Sequence, residues 1–452
     1  MCGHNAAMTD ATMAVICLLI LGWAVTSQLL SRHDVTGPLL FVVAGYVLAN
    51  PTWGVLTVDV DASMVHTLAE LALGLVLFTD ASRVSVGRLR AQARLPARLL
   101  LIGLPLTILV GTVGAQVVFG GFGWALALFV GASLAPTDAA LSVQVINDKR
   151  IPRRLRLTLN VESGLNDGIA TPVVTLAIAL SASALGMHGG EHITVADAVI
   201  ELLLGLGIGL AGGFVCAWAI NLSVRHGLSS PATRRIAALA TAAGIFALAI
   251  AIEGNGFIAA FVAGMAFGHF IDRGDTEDGG EEDTDLEVLP ELGGELLALV
   301  VWFLFGAGLI PLVIDVADAG DLVAMLGYAV LSLTVFRMLP VAMSLIGAGV
   351  IWPARSAPGA GLPMRDVALV GWFGPRGLAS VVFALLGFEE LGDSPTAQAA
   401  VAAIGVTVLA SVVLHGVSAG PLARRYPSSA AEPSPTTQSL PLRSRARFLR
   451  RA

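Results

Sequence analysis

Apolar stretches long enough to cross a bilayer recur along almost the whole chain. They fall near residues 10–30, 36–50, 64–80, 99–119, 124–146, 158–181 and 195–221, then near 236–253, 256–271, 295–314, 322–350, 367–388 and 397–420. About 20 apolar residues in a helix cover a hydrocarbon core of roughly 30 Å. The pattern predicts an all-α polytopic membrane protein with about 13 transmembrane helices. Composition agrees: 13% of residues are charged, about half the share of a soluble protein. Mean hydropathy is +0.81. The net charge of −7 says little about partners in such a chain. The expected surroundings are the lipid bilayer, with no nucleic acid.

Basic residues give an independent check on the span count. They fall only in the odd-numbered loops and the C-terminal tail, apart from Arg337 and Arg376 inside predicted spans. The N-terminus and the even-numbered loops hold none. By the positive-inside rule the N-terminus lies outside and the C-terminus in the cytoplasm of a multi-pass cell-membrane protein. Met1–Thr9 lacks the basic start of a cleaved leader, so the first apolar run is expected to stay as a span. Cys2, Cys17 and Cys216 show no metal or redox spacing.

Two spans are interrupted in the same way. Span five contains Ala135-Pro136-Thr137-Asp138, and span twelve contains Gly371-Trp372-Phe373-Gly374-Pro375-Arg376-Gly377. Proline removes a backbone donor and glycine permits an unwound conformation. The two spans run in opposite directions, as in an inverted repeat whose site lies between crossing broken helices.

The same chain places charge at membrane depth. Glu162-Ser163-Gly164-Leu165-Asn166-Asp167 lies within span six, and Asp138 follows Thr137 within span five. Carboxylates there are costly unless they face a partner or a water-filled cavity, so they mark ion pathways. Ser163 and Asp167 share a helix face, while Glu162 and Asp167 point roughly 140° apart. Asp167, Ser163, Thr137 and Asp138, with freed carbonyls beside Pro136, form an oxygen set for a dehydrated monovalent cation, and no His or Cys cluster suits a transition metal. Glu162 is expected to pair with Arg337, because an unpaired guanidinium in hydrocarbon cannot shed its charge. Arg376, beside Gly374 and Pro375, either holds carbonyls at a broken helix end or lines a funnel. Glu70 sits mid-span and either approaches the site from a neighbouring bundle or acts locally. Asp80 is expected to cap or solvate the cytoplasmic end of span three.

Two polar regions stand apart. Residues 272–291 hold ten acids against Arg273, and 422–452 is basic and rich in Ser and Pro. Both have the composition of disordered cytoplasmic segments.

The six-residue run resembles the E-S-x-x-N-D signature of sodium/proton exchangers in the monovalent cation/proton antiporter superfamily, NhaP-type branch. Thr137-Asp138 is similar to the T-D of that family's unwound span. Arg337 and Gly374-Pro375-Arg376-Gly377 are similar to its intramembrane arginine and G-x-R-G segment. The resemblance covers about residues 10–420. Gly164-Leu165 stands where a bulkier pair is often found, and Ala139 where proline is common.

The resemblance implies a homodimer with a panel bundle (about 10–80 and 236–314), a core bundle (about 99–181 and 322–420) and a linker span (about 195–221). It implies exchange of Na+ or Li+ for H+ at Asp167, with no bound cofactor and no enzymatic reaction. Asn166 replaces the second Asp of electrogenic relatives, implying one cation for one proton. Competing expectations are a K+/H+ exchanger or a uniporter of the same fold, a non-transporting sensor, and an intramembrane aspartyl protease. The last requires G-x-G-D and Y-D contexts that Asp138 and Asp167 lack.

Overall fold

Each of the thirteen apolar stretches holds a helix or a helix pair in the computed structural model. The described residues are 10–32, 35–50, 52–56, 63–83, 94–146, 148, 150–186, 195–271, 286–316, 319–345, 362–392 and 394–426. They contain no strand. Helices satisfy their own backbone groups, which lipid cannot do. The acidic stretch 272–285, the tail 427–452, residues 1–9 and Cys2 lie outside the described residues.

The first helices are α1 (Asp10–Arg32), α2 (Gly37–Leu48) and α3 (Ser63–Ser82). Then comes α4, made of Arg94–Arg98, a π turn at Leu99–Gly103 and Leu104–Phe119. The broken span five comprises α5 (Gly123–Ser133) and the short α6 (Val143–Ile146). Four helices follow: α7 (Arg153–Leu185), α8 (Val195–Arg225), α9 (Pro231–Ala251) and α10 (Gly256–Phe270). α11 starts as Val288–Leu304 and continues through a π turn at Phe305–Leu309 into Ile310–Val316. α12 (Ala319–Leu333) and α13 (Val335–Leu345) make up span eleven, and α14 (Met364–Trp372) and α15 (Leu378–Leu391) span twelve. α16 (Pro395–Arg425) ends the described chain. Among the described residues nine stretches are long and apolar enough to cross a membrane, while α2, α5 and α10 are shorter.

Local sequence fixes several ends. Thr36 accepts from the Leu39 amide before α2, Asn255 from Ile258 before α10, and Ser230 forms a capping box with Thr233 before α9. Each side-chain cap satisfies an amide that the helix cannot.

Packing relies on small residues, because lipid offers helices no hydrophobic drive to associate. A Cβ on Gly264 or Gly268 of α10 would fall 2.3 Å and 2.0 Å from the Phe78 and Ser82 carbonyls of α3. These glycines let the two backbones touch. Gly209 and Gly213 of α8 meet α10 in the same manner. α2, α3, α9, α10 and α11 pack mainly on one another, with α8 against α9 and α10. A second group comprises α4, α5, α7, α12, α13, α15 and α16, and α3 packs on α7 and α15 between the groups. Outward faces carry large apolar side chains, such as Leu18, Leu21 and Val25 on α1 and Leu203, Leu210 and Trp218 on α8. Apolar surface of that extent marks contact with lipid or protein rather than water.

Candidate functional site

The two broken spans meet at their unwound segments. α5 stops at Ser133, just before Pro136, because a proline lacks an amide and pushes its predecessor out of helical geometry. The chain resumes helical form in a 3-10 turn at Ala140–Ser142. α14 ends at Trp372 and α15 starts at Leu378, with Gly374, Pro375 and Gly377 between them. The Asp138 amide donates to the Pro375 carbonyl at 2.9 Å. A Cβ on Gly377 would lie 1.9 Å from Asp138 Oδ2, so only glycine permits this approach.

Charged side chains satisfy the helix ends that the breaks expose. Asp138 Oδ2 accepts from the Leu378 amide at 3.0 Å, and Oδ1 from the Ala140 amide at 2.7 Å. A carboxylate is thereby set at the positive ends of two half-helices. Arg376 Nη1 donates to the Ala135 carbonyl at 2.8 Å and to Pro136 at 3.2 Å, and Nη2 to Ser332 at 3.3 Å. Ser380 Oγ adds a bond to the Ser133 carbonyl at 2.6 Å. Of the two expectations for Arg376 the first applies: it is fully buried, and two of the three carbonyls it holds, those of Ala135 and Pro136, belong to the other broken span.

α7 supplies the rest. Its Ser163 and Asp167 stand one turn apart, and Thr137, Glu162, Ser163, Asn166 and Asp167 are all buried. Asn166 Nδ2 donates to Thr137 Oγ1 at 2.7 Å, and that oxygen lies 3.0 Å from Ser163 Oγ. These bonds clamp the break in span five onto α7. Asp167 Oδ1 and Asn166 Oδ1 are buried with no hydrogen-bond partner. Buried polar atoms are nearly always satisfied, so an orphaned carboxylate oxygen calls for a ligand. The surrounding oxygens suit a hard monovalent cation or a proton. Among the described residues no group of His, Cys, Asp and Glu could hold a metal through three or more ligands.

Glu162 points elsewhere on α7, and Arg337 of α13 meets it: Nη1 lies 2.6 Å from Oε1, with both side chains almost wholly buried. The expected pair is formed. Gly374 packs against that guanidinium, since a Cβ there would fall 2.4 Å from Arg337 Nε.

Two acids of α3 are placed differently from one another. Asp80 does more than end its helix: its side chain lies against Gly164, whose Cβ would be 3.5 Å from Asp80 Cβ. The charges of Asp80 and Asp138 both act on Asp167. Asp80 thus stands beside the turn of α7 that carries Ser163 and Gly164, a position that sequence reasoning did not give it. The usable signal was Gly164 itself, where the absence of a side chain leaves room for one from another helix. Glu70 is not brought to Asp167. Its charge neighbours are Glu389 and Glu390 at the end of α15, and Glu389 also lies 3.0 Å from His66 Nδ1. The described geometry also brings in His415 and Ser411 of α16, which bond to the unwound segment of span twelve.

Comparison with known proteins agrees with this geometry. The model of the family described as "Sodium/hydrogen exchanger, transmembrane" matches residues 15–425. A "K(+)/H(+) antiporter NhaP" of Alkalimonas amylolytica is 26% identical over 437 residues, 96% of this chain and 70% of that relative. A "Na(+)/H(+) antiporter ApNhaP" of Aphanothece halophytica is 26% identical over 392 residues, covering 85% of this chain and 69% of the relative. The chain spans about two thirds of the length of the curated relatives it matches. The solved structure of the sodium proton antiporter MjNhaP1 from Methanocaldococcus jannaschii at pH 8 superposes with a TM-score of 0.69 at 19% identity, covering 92% of this chain and 99% of that one. The all-helical antiporter fold is thus common to both.

Proposed function

The chain belongs to the transmembrane sodium/hydrogen exchanger family, a family of transporters and not of enzymes, and we propose that it exchanges a monovalent cation for a proton at Asp167. The observation that carries this reading is the buried, unpartnered Oδ1 of Asp167 among Ser163, Thr137 and Asn166. A bare buried carboxylate is costly, so the site favours whichever occupant neutralises it. A cation and a proton therefore compete, and a loaded site crosses the barrier more easily than an empty one. Asp138 holds the crossing segments through its two amide bonds, and its remaining lone pairs face the same competition. Asp80 adds a third negative charge that draws cations to the site.

The cargo is Na+ or Li+, exchanged one for one with H+ without net charge movement, because Asn166 is neutral where a second acid would add a proton. K+ is the second reading, favoured by the name of the Alkalimonas relative. The helix group containing α7 moves as a core against the panel of α1–α3 and α9–α11, with α8 as linker, in a homodimer. The N-terminus faces outward and the C-terminus the cytoplasm of the cell membrane.

The test is proton movement in everted vesicles on adding NaCl, LiCl or KCl, with a potential-sensitive dye alongside. Salt-dependent loss of the pH gradient without a potential supports electroneutral exchange, and the most active salt names the cargo. A potential generated by a cation gradient alone contradicts the one-for-one count.

A further inference from the structure

The crossing breaks expose four half-helix ends, and Asp138 and Arg376 account for three of them. The fourth is the carboxyl end of α14, whose last carbonyls have no partner within the helix. At that end the chain turns sharply at Phe373 (φ −80°, ψ 62°), an inverse γ-turn closed by the Gly374 amide on the Trp372 carbonyl at 2.8 Å. The second lone pair of that carbonyl faces His415 Nε2 at 2.9 Å. His415 lies on α16 and is 1% exposed.

The remaining bonds fix what His415 does. A carbonyl only accepts, so Nε2 donates to Trp372, while Nδ1 lies 3.0 Å from the Ser411 carbonyl on its own helix. Ser411, one turn earlier on α16, lies with Oγ 3.2 Å from Nδ1. The same Oγ accepts from the Arg376 amide at 2.6 Å. The contacts form one loop: the Arg376 amide donates to Ser411 Oγ, Ser411 meets Nδ1 through its Oγ and its carbonyl, and Nε2 donates to the Trp372 carbonyl. This loop encloses Phe373, Gly374 and Pro375 and ties both ends of the unwound segment to one face of α16. Trp372 is held to the same helix by its indole, which packs tilted against the His415 ring at 5.3 Å between centroids and donates to Ser418 Oγ at 3.1 Å.

We propose that His415 is a positioning residue for transport: with Ser411 it fixes the unwound segment of span twelve, and through that segment the carboxylate of Asp138. The Pro375 carbonyl and the Leu378 amide, which hold Asp138 from either side of Arg376, are the points at which that constraint reaches the site. This role rests on the exchange reading for its effect on transport, but its effect on the backbone does not.

Two variants of the full chain separate the ring nitrogens. In His415→Gln the amide nitrogen can take the place of Nε2 and keep the Trp372 bond. His415→Asn reaches only the position of Nδ1 and loses it. Hydrogen–deuterium exchange of the Arg376, Gly377 and Leu378 amides is followed in detergent, and the apparent KM for cation in liposomes. His415→Asn is expected to speed amide exchange and raise KM by about tenfold, as loss of one buried bond implies, while His415→Gln stays within about threefold of wild type. Equal exchange rates in wild type, Gln and Asn variants overturn the proposal. If wild type moves no protons while the amide pattern appears as expected, the exchange reading fails and the positioning of the segment stands. Should the Asn variant not fold, Ser411→Ala decides: faster exchange at Arg376 supports the loop, and unchanged exchange overturns it.

Discussion

Asp138 and Arg376 cap each other's broken helices. The Asp138 carboxylate takes the Leu378 amide at the start of α15, and the Arg376 guanidinium takes the Ala135 and Pro136 carbonyls beyond the end of α5. A negative group at a helix amino end and a positive group at a carboxyl end both oppose the local dipole. The crossing is therefore held by charges that belong to the opposite break, so disturbing one break disturbs both.

Gly377→Ala tests that closeness. Its Cβ would press on Asp138 Cβ and Oδ2 and displace the carboxylate from the Leu378 amide. Losing one charge-assisted bond costs about 1.5–3 kcal/mol, so proton-coupled transport in liposomes should slow by about tenfold or more. Gly207→Ala, with nothing near its Cβ, should transport as wild type.

Glu162 and Arg337 form a buried pair, and such pairs are far more costly to break than to replace. Arg337→Met alone should lower stability by about 3–5 kcal/mol by leaving Glu162 unpaired. The double variant Glu162→Leu with Arg337→Met should recover much of that loss. Melting temperatures of the purified proteins in detergent check the ordering, and an additive double variant would refute it.

Asp80 contributes charge rather than a bond to Asp167. Asp80→Asn keeps the shape beside Gly164 and removes the charge, which should raise the apparent KM for cation by roughly fivefold, about 1 kcal/mol of coulombic attraction. Glu70→Gln, remote from Asp167, should leave KM unchanged. Both are read from cation-dependent proton movement in the same liposomes.

Asp148, in the loop before α7, is bound by Arg150: Nε lies 3.0 Å from Oδ1 and Nη2 2.5 Å from Oδ2. The guanidinium holds this carboxyl below its ordinary value. A lowered folded value gives stability that is present above the unfolded value of about 3.9 and is lost as pH falls through the folded one. Arg150→Ala should therefore melt slightly below wild type near neutral pH, with the gap closing under acid conditions. A gap that widens in acid would contradict the assignment.

The sequence made some of this legible because lipid penalises particular residues. Arg337 cannot lose its charge, so a buried acid was required, and Glu162 pointed away from Asp167 on the same helix. Pro136 and Gly374-Pro375 marked the breaks because few residues interrupt a helix in hydrocarbon. The contact of Asp80 with Gly164 was not legible, because it depends on where α7 crosses α3. The partner helix α7 starts at Arg153, well before the apolar run near 158, so the Ser163–Gly164 turn meets the end of α3 rather than its middle. Glu70 was left between the site and a local role, and its charge neighbours are Glu389 and Glu390. His415 gave no signal, since a lone histidine in an apolar run reads as packing until the carbonyl it caps is located.

The most direct test compares wild type with Asp167→Asn in liposomes carrying a pH gradient, with radiolabelled sodium and rubidium uptake measured in parallel. Proton-driven uptake by wild type and none above protein-free liposomes by Asp167→Asn, in a variant that melts within a few degrees of wild type, is the predicted result. Equal uptake by the two proteins would contradict the account and remove Asp167 as the carrier.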